Sequence, residues 1–183
     1  MNVKNLKRRV EGKNVFLRYV SMDDFEEMRT LFRESRAFYK GLIDTPGTIE
    51  QFTAYAARNS SDANECFVIC RATDEKIVGV INLSQIFRRS FQNAYLGYSL
   101  GVKYKGNGFM TEAVALVLRF AFKDLKLHRL EASVQPENLP SIAVLLRCGF
   151  TKEGFSRKYL KIAGRWRDHE RFAIIREDWR ERK

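Results

Sequence analysis

The strongest constraint on the fold is an apolar stretch that directly follows a turn with two glycines. Residues Thr111 to Lys123 are apolar at most positions, and the main exceptions are Glu112, Arg119 and Lys123. These charged residues are seven and four positions apart, so they share one narrow stripe of a helix. The stretch therefore predicts a helix that faces solvent only along this stripe. Such a helix needs a sheet or other helices around it.

Apolar and alternating segments on both sides of this helix predict a sheet. The predicted strands cover residues 15–20, 66–70, 77–83, 94–102, 129–134, 155–162 and 166–175. Short connections between the second, third and fourth of them predict an antiparallel meander. Ser21 with Asp24, and Thr48 with Gln51, have the spacing of capping boxes and predict two helix starts. A short helix from 140 to 146 completes a mixed α/β fold with helices on the faces of the sheet.

Length and cysteine content exclude several classes of protein. The chain has 183 residues, which predicts one domain over 1–183. No segment has the ~20 apolar residues of a membrane span, and Met1 to Gly12 lacks the apolar core of a signal peptide. Cys66, Cys70 and Cys148 have no metal-ligand spacing, so we expect buried thiols in a cytoplasmic protein without a metal or membrane contact. Cys148 as a nucleophile would need a paired histidine, and none is evident.

The charge balance is basic. The chain has 33 Lys and Arg against 22 Asp and Glu, a net charge of +11. The basic residues cluster at the two ends, as Lys4, Lys7, Arg8 and Arg9, and as Arg176, Arg180, Arg182 and Lys183. A basic surface attracts polyanions such as RNA, and it is equally consistent with a solvated surface that binds nothing.

The turn before the apolar helix is a candidate anion site. It consists of Lys105, Gly106, Asn107, Gly108, Phe109 and Met110. Unpaired N–H groups in the first helical turn, together with the helix dipole, favour a phosphate at such a turn. The same glycines are also compatible with a purely structural tight turn.

The order of these elements resembles the GCN5-related N-acetyltransferase (GNAT) superfamily. In that family a pyrophosphate turn reads Gln/Arg-x-x-Gly-x-Gly/Ala, and residues 105–110 match it except at Lys105 and Met110. The resemblance is closer to the RimJ/RimL ribosomal-protein N-acetyltransferases. It rests on residues 95–98, 110–113, 128–129, 148–150 with 153–154, and 166–169, within a similarity that runs from about Val15 to Trp179.

The resemblance implies a mostly antiparallel sheet whose middle strands, here 95–102 and 129–134, separate to admit acetyl-CoA. The implied cofactor contacts are Leu100, Gly101 and Val102 on the strand, the six residues of the turn, and Asn138. Lys103, Lys105 or Arg147 would meet the phosphates, although a solvated role suits each of them. Asn138 also fits as the cap of the short helix.

Ser141 is the predicted acid, because RimL-like members have a serine at this place, where its hydroxyl would face the thioester sulfur. Leu145 stands where many acetyltransferases have a tyrosine. Ser141 could equally satisfy backbone donors at the start of its helix. Glu137 is the candidate base, and an exposed loop acid or a water relay is an alternative. Glu112 fits a structural role better.

The resemblance implies transfer of an acetyl group to a protein N-terminus, most like the ribosomal-protein-alanine type. The acceptor region would include Phe38, Tyr39 and residues 42–46, and residues 166–169 either line the acceptor cleft or pair across the sheet. Two alternatives stay open. One is a small amine acceptor such as a polyamine or an amino sugar, which needs an acidic cleft. The other is a ribosome- or RNA-binding protein on the same fold, suggested by charge alone.

Overall fold

A computed structural model describes residues 8–43, 45–58 and 61–180. Its strands are β1 (Arg9–Glu11), β2 (Val15–Tyr19), β3 (Glu65–Arg71), β4 (Ile77–Ser84), β5 (Asn93–Leu100), β6 (Arg129–Val134), β7 (Thr151–Ile162) and β8 (Arg165–Ile175). Its α-helices are α1 (Phe25–Tyr39), α2 (Ile49–Ala57), α3 (Phe109–Arg119) and α4 (Leu139–Arg147). Lys4, Lys7, Arg182 and Lys183 of the basic clusters lie outside the described residues.

The strands form one eight-stranded sheet in the order β1-β2-β3-β4-β5-β6-β8-β7. Among the described strands, β5 and β6 are parallel neighbours and the other neighbouring pairs are antiparallel. The predicted meander of β3, β4 and β5 is therefore confirmed, and so is the mixed α/β class. Only the short β1 was missed, because its sequence is polar and basic.

The helix α3 is buried as predicted, and it packs against the sheet and α4. Its buried side chains include Ala113, Val114, Val117 and Leu118. It begins at Phe109, two residues earlier than predicted. A π-helical turn, Phe120–Asp124, follows it directly. The wider π turn keeps both Phe120 and Phe122 in the core.

The position of Glu112 differs from the predicted solvent stripe, because its side chain contacts another segment of the chain. Its carboxylate accepts hydrogen bonds from the backbone N–H and the side-chain amide of Asn14, both at 2.8 Å. These bonds satisfy donors just before β2, at the point where the chain has left the β1–β2 pairing. Glu112 therefore ties α3 to the edge of the sheet, which is the structural role that the sequence favoured over catalysis.

Both predicted capping boxes are present. Ser21 and Asp24 cap the turn that leads into α1, and Thr48 and Gln51 cap α2. Asp24 is buried and also forms a two-pronged ion pair with Arg18, at 2.7 and 2.9 Å. Its carboxylate joins β2 to the start of α1, which fixes the direction in which α1 crosses the sheet.

The cysteines are buried, as predicted for Cys66 and Cys70. Burial raises the pKa of the Cys70 thiol to about 11, so this thiol stays protonated and unreactive near neutral pH. The described residues contain no cluster of three or more metal-ligating side chains. No described helix combines the length and apolar character needed to cross a membrane.

Candidate active site

The parallel neighbours β5 and β6 separate soon after they meet. They pair at Asn93–Tyr95 with Arg129–Glu131, and the remaining residues of the two strands diverge. The structure thus contains the separated middle strands that the resemblance implied. The consequence is an opening in the sheet beside the C-terminal half of β5.

A cavity of about 520 Å³, here named the turn cavity, lies at this opening. It is bounded by the end of β5, the glycine turn with the start of α3, the first two turns of α4, and Phe38 and Tyr39 at the end of α1. The sheet order explains the location, because α3 and α4 flank the opening that the divergence of β5 and β6 creates.

The glycine turn presents unpaired donors to this cavity. Gly106 and Gly108 have φ values of +81° and +77°, which side chains with a Cβ rarely adopt. Gly108 is the N-cap of α3, and the first intrahelical bond runs from the N–H of Glu112 to the Gly108 carbonyl. The N–H groups of the first turn are therefore left for an anion. The Asn107 amide braces the turn by donating to the carbonyls of Tyr104 (3.1 Å) and Lys105 (3.3 Å).

Two cations line the turn cavity, Lys105 and Arg147, and no carboxylate appears among its described lining residues. The Lys105 ammonium lies 3.8 Å from the centre of the Phe38 ring. Lys103, the third predicted phosphate contact, is outside this lining and forms an ion pair with Glu34 at 3.0 Å. The cavity is thus suited to an anionic, partly apolar ligand.

The model places most of the predicted cofactor residues at this cavity. Its lining includes Leu100, Lys105, Gly106, Gly108, Phe109, Met110 and Asn138. The cavity lining does not include Gly101, Val102 or Asn107. For the first two the reason is that β5 ends at Leu100 and Val102 begins a 3₁₀ turn. The backbone N–H of Gly101 donates to Val78 on β4, and that of Val102 donates to the Ser35 hydroxyl.

The predicted acid, Ser141, faces the turn cavity from the first turn of α4. Its Oγ lies 2.9 Å from the hydroxyl of Tyr98 on β5, which also lies 3.2 Å from the Ser141 carbonyl oxygen. A phenol has one proton, so Tyr98 donates either to the Ser141 carbonyl or to the Ser141 hydroxyl, and between the two hydroxyls either can be the donor. Burial raises the pKa of Tyr98, which keeps the phenol neutral. The pair forms a protonated hydroxyl relay at the cavity wall.

Tyr98 is a site residue for which the sequence predicts no role. It lies in the segment 95–98 that contributes to the family resemblance, and Ser141 is 43 positions away. Asn138, in contrast, takes the capping role: its Oδ1 accepts from the Ser141 N–H at 3.4 Å. The Ser141 side chain is therefore directed to Tyr98, while Asn138 serves the helix terminus.

Glu137, the candidate base, is exposed and is not among the residues that line the turn cavity. The segment 166–169 is also outside the described lining. Asp168 accepts from the backbone N–H of Lys158 at 2.7 Å, and the ring of His169 is buried with Nδ1 3.0 Å from the Arg167 carbonyl. The Asp168 bond ties β8 to β7, and the His169 contact lies within β8.

A second cavity of about 450 Å³, here named the α2 cavity, lies beside β4, β5, α1 and α2. Its walls include Phe32, Val80, Asn82 and Tyr55, whose hydroxyl donates to the side-chain Oδ1 of Asn82 at 2.7 Å. Arg58 is the one charged residue among its described lining. Of the predicted acceptor segment 42–46, Ile43, Thr45 and Pro46 line this cavity, and Asp44 lies outside the described residues.

The two cavities meet at the end of β5. Ile43, Tyr98 and Ser99 line both of them. Because successive side chains of a strand point to opposite faces, Tyr98 and Ser99 border the junction from the two sides of the sheet. A ligand in one cavity and a ligand in the other can therefore meet beside the Tyr98–Ser141 hydroxyl pair.

Comparison with known proteins gives a consistent result. Residues 14–151 match the family model of an acetyltransferase (GNAT) domain. The chain is 41% identical over 177 residues to the probable N-acetyltransferase YjcK of Bacillus subtilis, covering 92% of this chain and 98% of that protein. It is 45% identical over 107 residues to the [ribosomal protein uS5]-alanine N-acetyltransferase of Escherichia coli, covering 58% and 55%. The structure of Mycobacterium smegmatis RimJ in complex with CoA-disulfide superposes with a TM-score of 0.82 at 30% identity, covering 89% and 82%.

Proposed function

The chain belongs to the acetyltransferase (GNAT) family, and from that premise we propose that it transfers the acetyl group of acetyl-CoA to the N-terminal amine of a protein. The proposed acceptor is a ribosomal protein with an N-terminal alanine, as named for the Escherichia coli relative. Such a substrate places the enzyme in the cytoplasm. The net charge of +11 supports contact with the anionic RNA of a ribosome during this reaction.

The observation that carries the proposal is the meeting of two cavities of different character at one hydroxyl pair. The turn cavity has free backbone donors and two cations, which suits the pyrophosphate and the phosphoadenosine of a CoA ester. The α2 cavity has neutral and apolar walls. An acetyl thioester entering from the first and an amine entering from the second would meet beside Tyr98.

The proposed cofactor contacts follow from this placement. The pyrophosphate would bind the N–H groups of Gly108, Phe109 and Met110, with Lys105 and Arg147 as counter-ions. The pantetheine arm would run along the open edge of β5 at Leu100, as an added strand does. Gly106, Asn107 and Asn138 shape the turn and the start of α4, and Gly101 and Val102 fix the end of β5.

The transfer itself requires a neutral amine, one new C–N bond, one broken C–S bond and two proton movements. The amine nitrogen attacks the thioester carbon, and the CoA sulfur leaves as a thiolate. The Ser141 hydroxyl donates a proton to that sulfur, Tyr98 returns a proton to Ser141 through their 2.9 Å hydrogen bond, and solvent, which receives the proton of the attacking amine, restores the Tyr98 phenol. The proton of the attacking amine goes to water, with Glu137 as a candidate base that acts through solvent because it is exposed.

The same lining argues against a polyamine acceptor. A polyamine carries several positive charges and is best bound by carboxylates. The described lining of both cavities contains none, and Arg58 adds a positive charge to the α2 cavity. A peptide terminus, which is monocationic or neutral, does not meet this electrostatic penalty.

The first test is acetyl transfer to matched peptides, read by intact mass. One peptide begins with a free alanine and contains an internal lysine, and its twin has a blocked N-terminus. We expect one acetyl group on the first peptide, none on its twin and none on spermidine. Acetylation of the blocked twin would assign the activity to lysine, and acetylation of spermidine alone would overturn a protein acceptor.

The pH dependence gives a second prediction. A peptide α-amine has a pKa near 8, so kcat/KM should rise about tenfold per pH unit below that value and then level off. The pKa of Tyr98 is raised above its ordinary value by burial, so the hydroxyl pair should cause no decline below about pH 10. Initial rates between pH 6 and pH 10 test both statements. A midpoint near 10 would contradict an α-amine acceptor.

A further inference from the structure

The last turn of α1 reaches into the opening between β5 and β6. The Tyr39 hydroxyl donates to the Leu100 carbonyl oxygen at 2.6 Å and accepts from the Leu100 N–H at 2.8 Å. One side chain thus satisfies both main-chain groups of a residue that lies 61 positions away. Burial raises the pKa of Tyr39, so the hydroxyl keeps the proton that it donates in this pair of hydrogen bonds.

Leu100 is the last position on β5 whose main-chain groups face the opening. The next residue, Gly101, donates its N–H to Val78 of β4 at 2.7 Å. Main-chain groups of successive strand residues point in opposite directions, so those of Leu100 point away from β4. On that side the last pair with β6 is Tyr95 with Glu131. A strand-like ligand that extends to the end of β5 would pair with Leu100, and an amide, with one donor and one acceptor, is its complement.

The Tyr39 hydroxyl already supplies one donor and one acceptor to Leu100. The neighbouring Phe38 covers a second group that would contact the ligand, the Lys105 ammonium. The Phe38 ring lies over the Lys105 ammonium at 3.8 Å from its centre, and Lys105 belongs to the glycine turn. Beyond Tyr39, the chain is held to the far side of the opening, where the buried Gln135 donates to the carbonyls of Gly41 (2.9 Å) and Leu42 (3.3 Å). The end of α1 therefore bridges the opening from β5 to the residue after β6.

We propose that Tyr39 is an internal substitute for the pantetheine amide of the CoA substrate, which must displace the Tyr39 hydroxyl from Leu100 in order to bind. The proposal rests on the proposed function. Displacement exchanges two hydrogen bonds for two others, so Tyr39 lowers CoA affinity while it keeps the open strand edge paired in the free enzyme. Ile43, Thr45 and Pro46 follow Tyr39 closely and line the α2 cavity, so CoA entry also shifts the wall of the acceptor side.

The test compares CoA affinity among the wild type, Tyr39→Phe and Tyr55→Phe by isothermal titration calorimetry. Tyr39→Phe removes the competing hydroxyl and should bind CoA about 5- to 30-fold more tightly, the value of one to two net hydrogen bonds. Tyr55→Phe is the matched control, since it removes another buried hydroxyl whose partner, Asn82, lies in the α2 cavity. Its CoA affinity should equal that of the wild type.

Equal or weaker CoA binding by Tyr39→Phe would overturn the proposal while leaving the proposed function intact. A wild type that binds no CoA would overturn both. Amide hydrogen exchange of the wild type provides a measurement that needs no variant. CoA should accelerate exchange in the last turn of α1, because Tyr39 is released, and unchanged or slower exchange there would contradict the displacement.

Discussion

Replacing Ser141 with alanine should lower kcat for acetyl transfer by about a hundredfold and leave the Kd for CoA unchanged. General acids contribute about 10²- to 10⁴-fold, and a thiol has a pKa near 8.5, so its thiolate leaves without extreme assistance. The lower end of that range therefore applies. Ser141 lines the turn cavity, and its hydroxyl is 2.9 Å from that of Tyr98, which lines both cavities. Steady-state rates with the alanine peptide, together with CoA titration, measure the two quantities separately.

Three further variants separate proton donation from packing. Ser141→Thr keeps a hydroxyl and should recover most of the lost rate. Tyr98→Phe removes the partner, and the double variant Ser141→Ala with Tyr98→Phe should be no slower than Ser141→Ala, because residues that act as one unit are not additive. A rate for Ser141→Ala within threefold of the wild type would remove this hydroxyl from the chemistry.

Replacing Phe109 with proline should weaken CoA binding about 10- to 100-fold relative to Phe109→Ala. Phe109 is the first residue of α3, where the φ of proline fits the helix and its N–H is missing. Both variants lose the same aromatic ring, so their difference reports the N–H together with the restriction that proline places on Gly108. A hydrogen bond from an N–H to a charged group contributes about 1.5–3 kcal/mol, which corresponds to this range of affinity.

The measurement is CoA titration of both variants, preceded by thermal unfolding to confirm that both are folded. Equal affinities would show that the N–H of Phe109 does not bind the pyrophosphate, and the anion site would then have to lie elsewhere along the turn. If those equal affinities were also well below that of the wild type, the loss would belong to the ring, which lies 6.5 Å from that of Tyr104.

Local patterns explain what the sequence could predict. Both capping boxes join residues three positions apart, and the β3–β4–β5 meander follows short connections, so each is encoded within a few neighbouring residues. The glycine turn belongs to the same group, because Gly106 and Gly108 adopt conformations that few other residues allow. For the buried face of α3, apolar periodicity was enough.

Contacts between distant segments explain what the sequence could not predict. Tyr98 meets Ser141 across 43 positions, Tyr39 meets Leu100 across 61, and Glu112 meets Asn14 across 98. No local pattern marks such a partner, so the sequence predicts a solvent stripe for Glu112 and assigns Tyr98 no role in the site. The exposure of Glu137 likewise depends on how the loop before α4 leaves β6.

The brief pairing of β5 with β6 has a consequence for the mechanics of the molecule. Three residue pairs join a half-sheet of five strands to a half-sheet of three, whereas β6 and β8 share six pairs. Subglobal opening concentrates where few hydrogen bonds cross between cooperative units, so this seam is where the two halves part first. A substrate that hydrogen-bonds to strands on both sides of the seam links the two half-sheets. Its binding free energy adds to the cohesion of the native state, and the enzyme should resist proteolysis best when it is engaged in turnover.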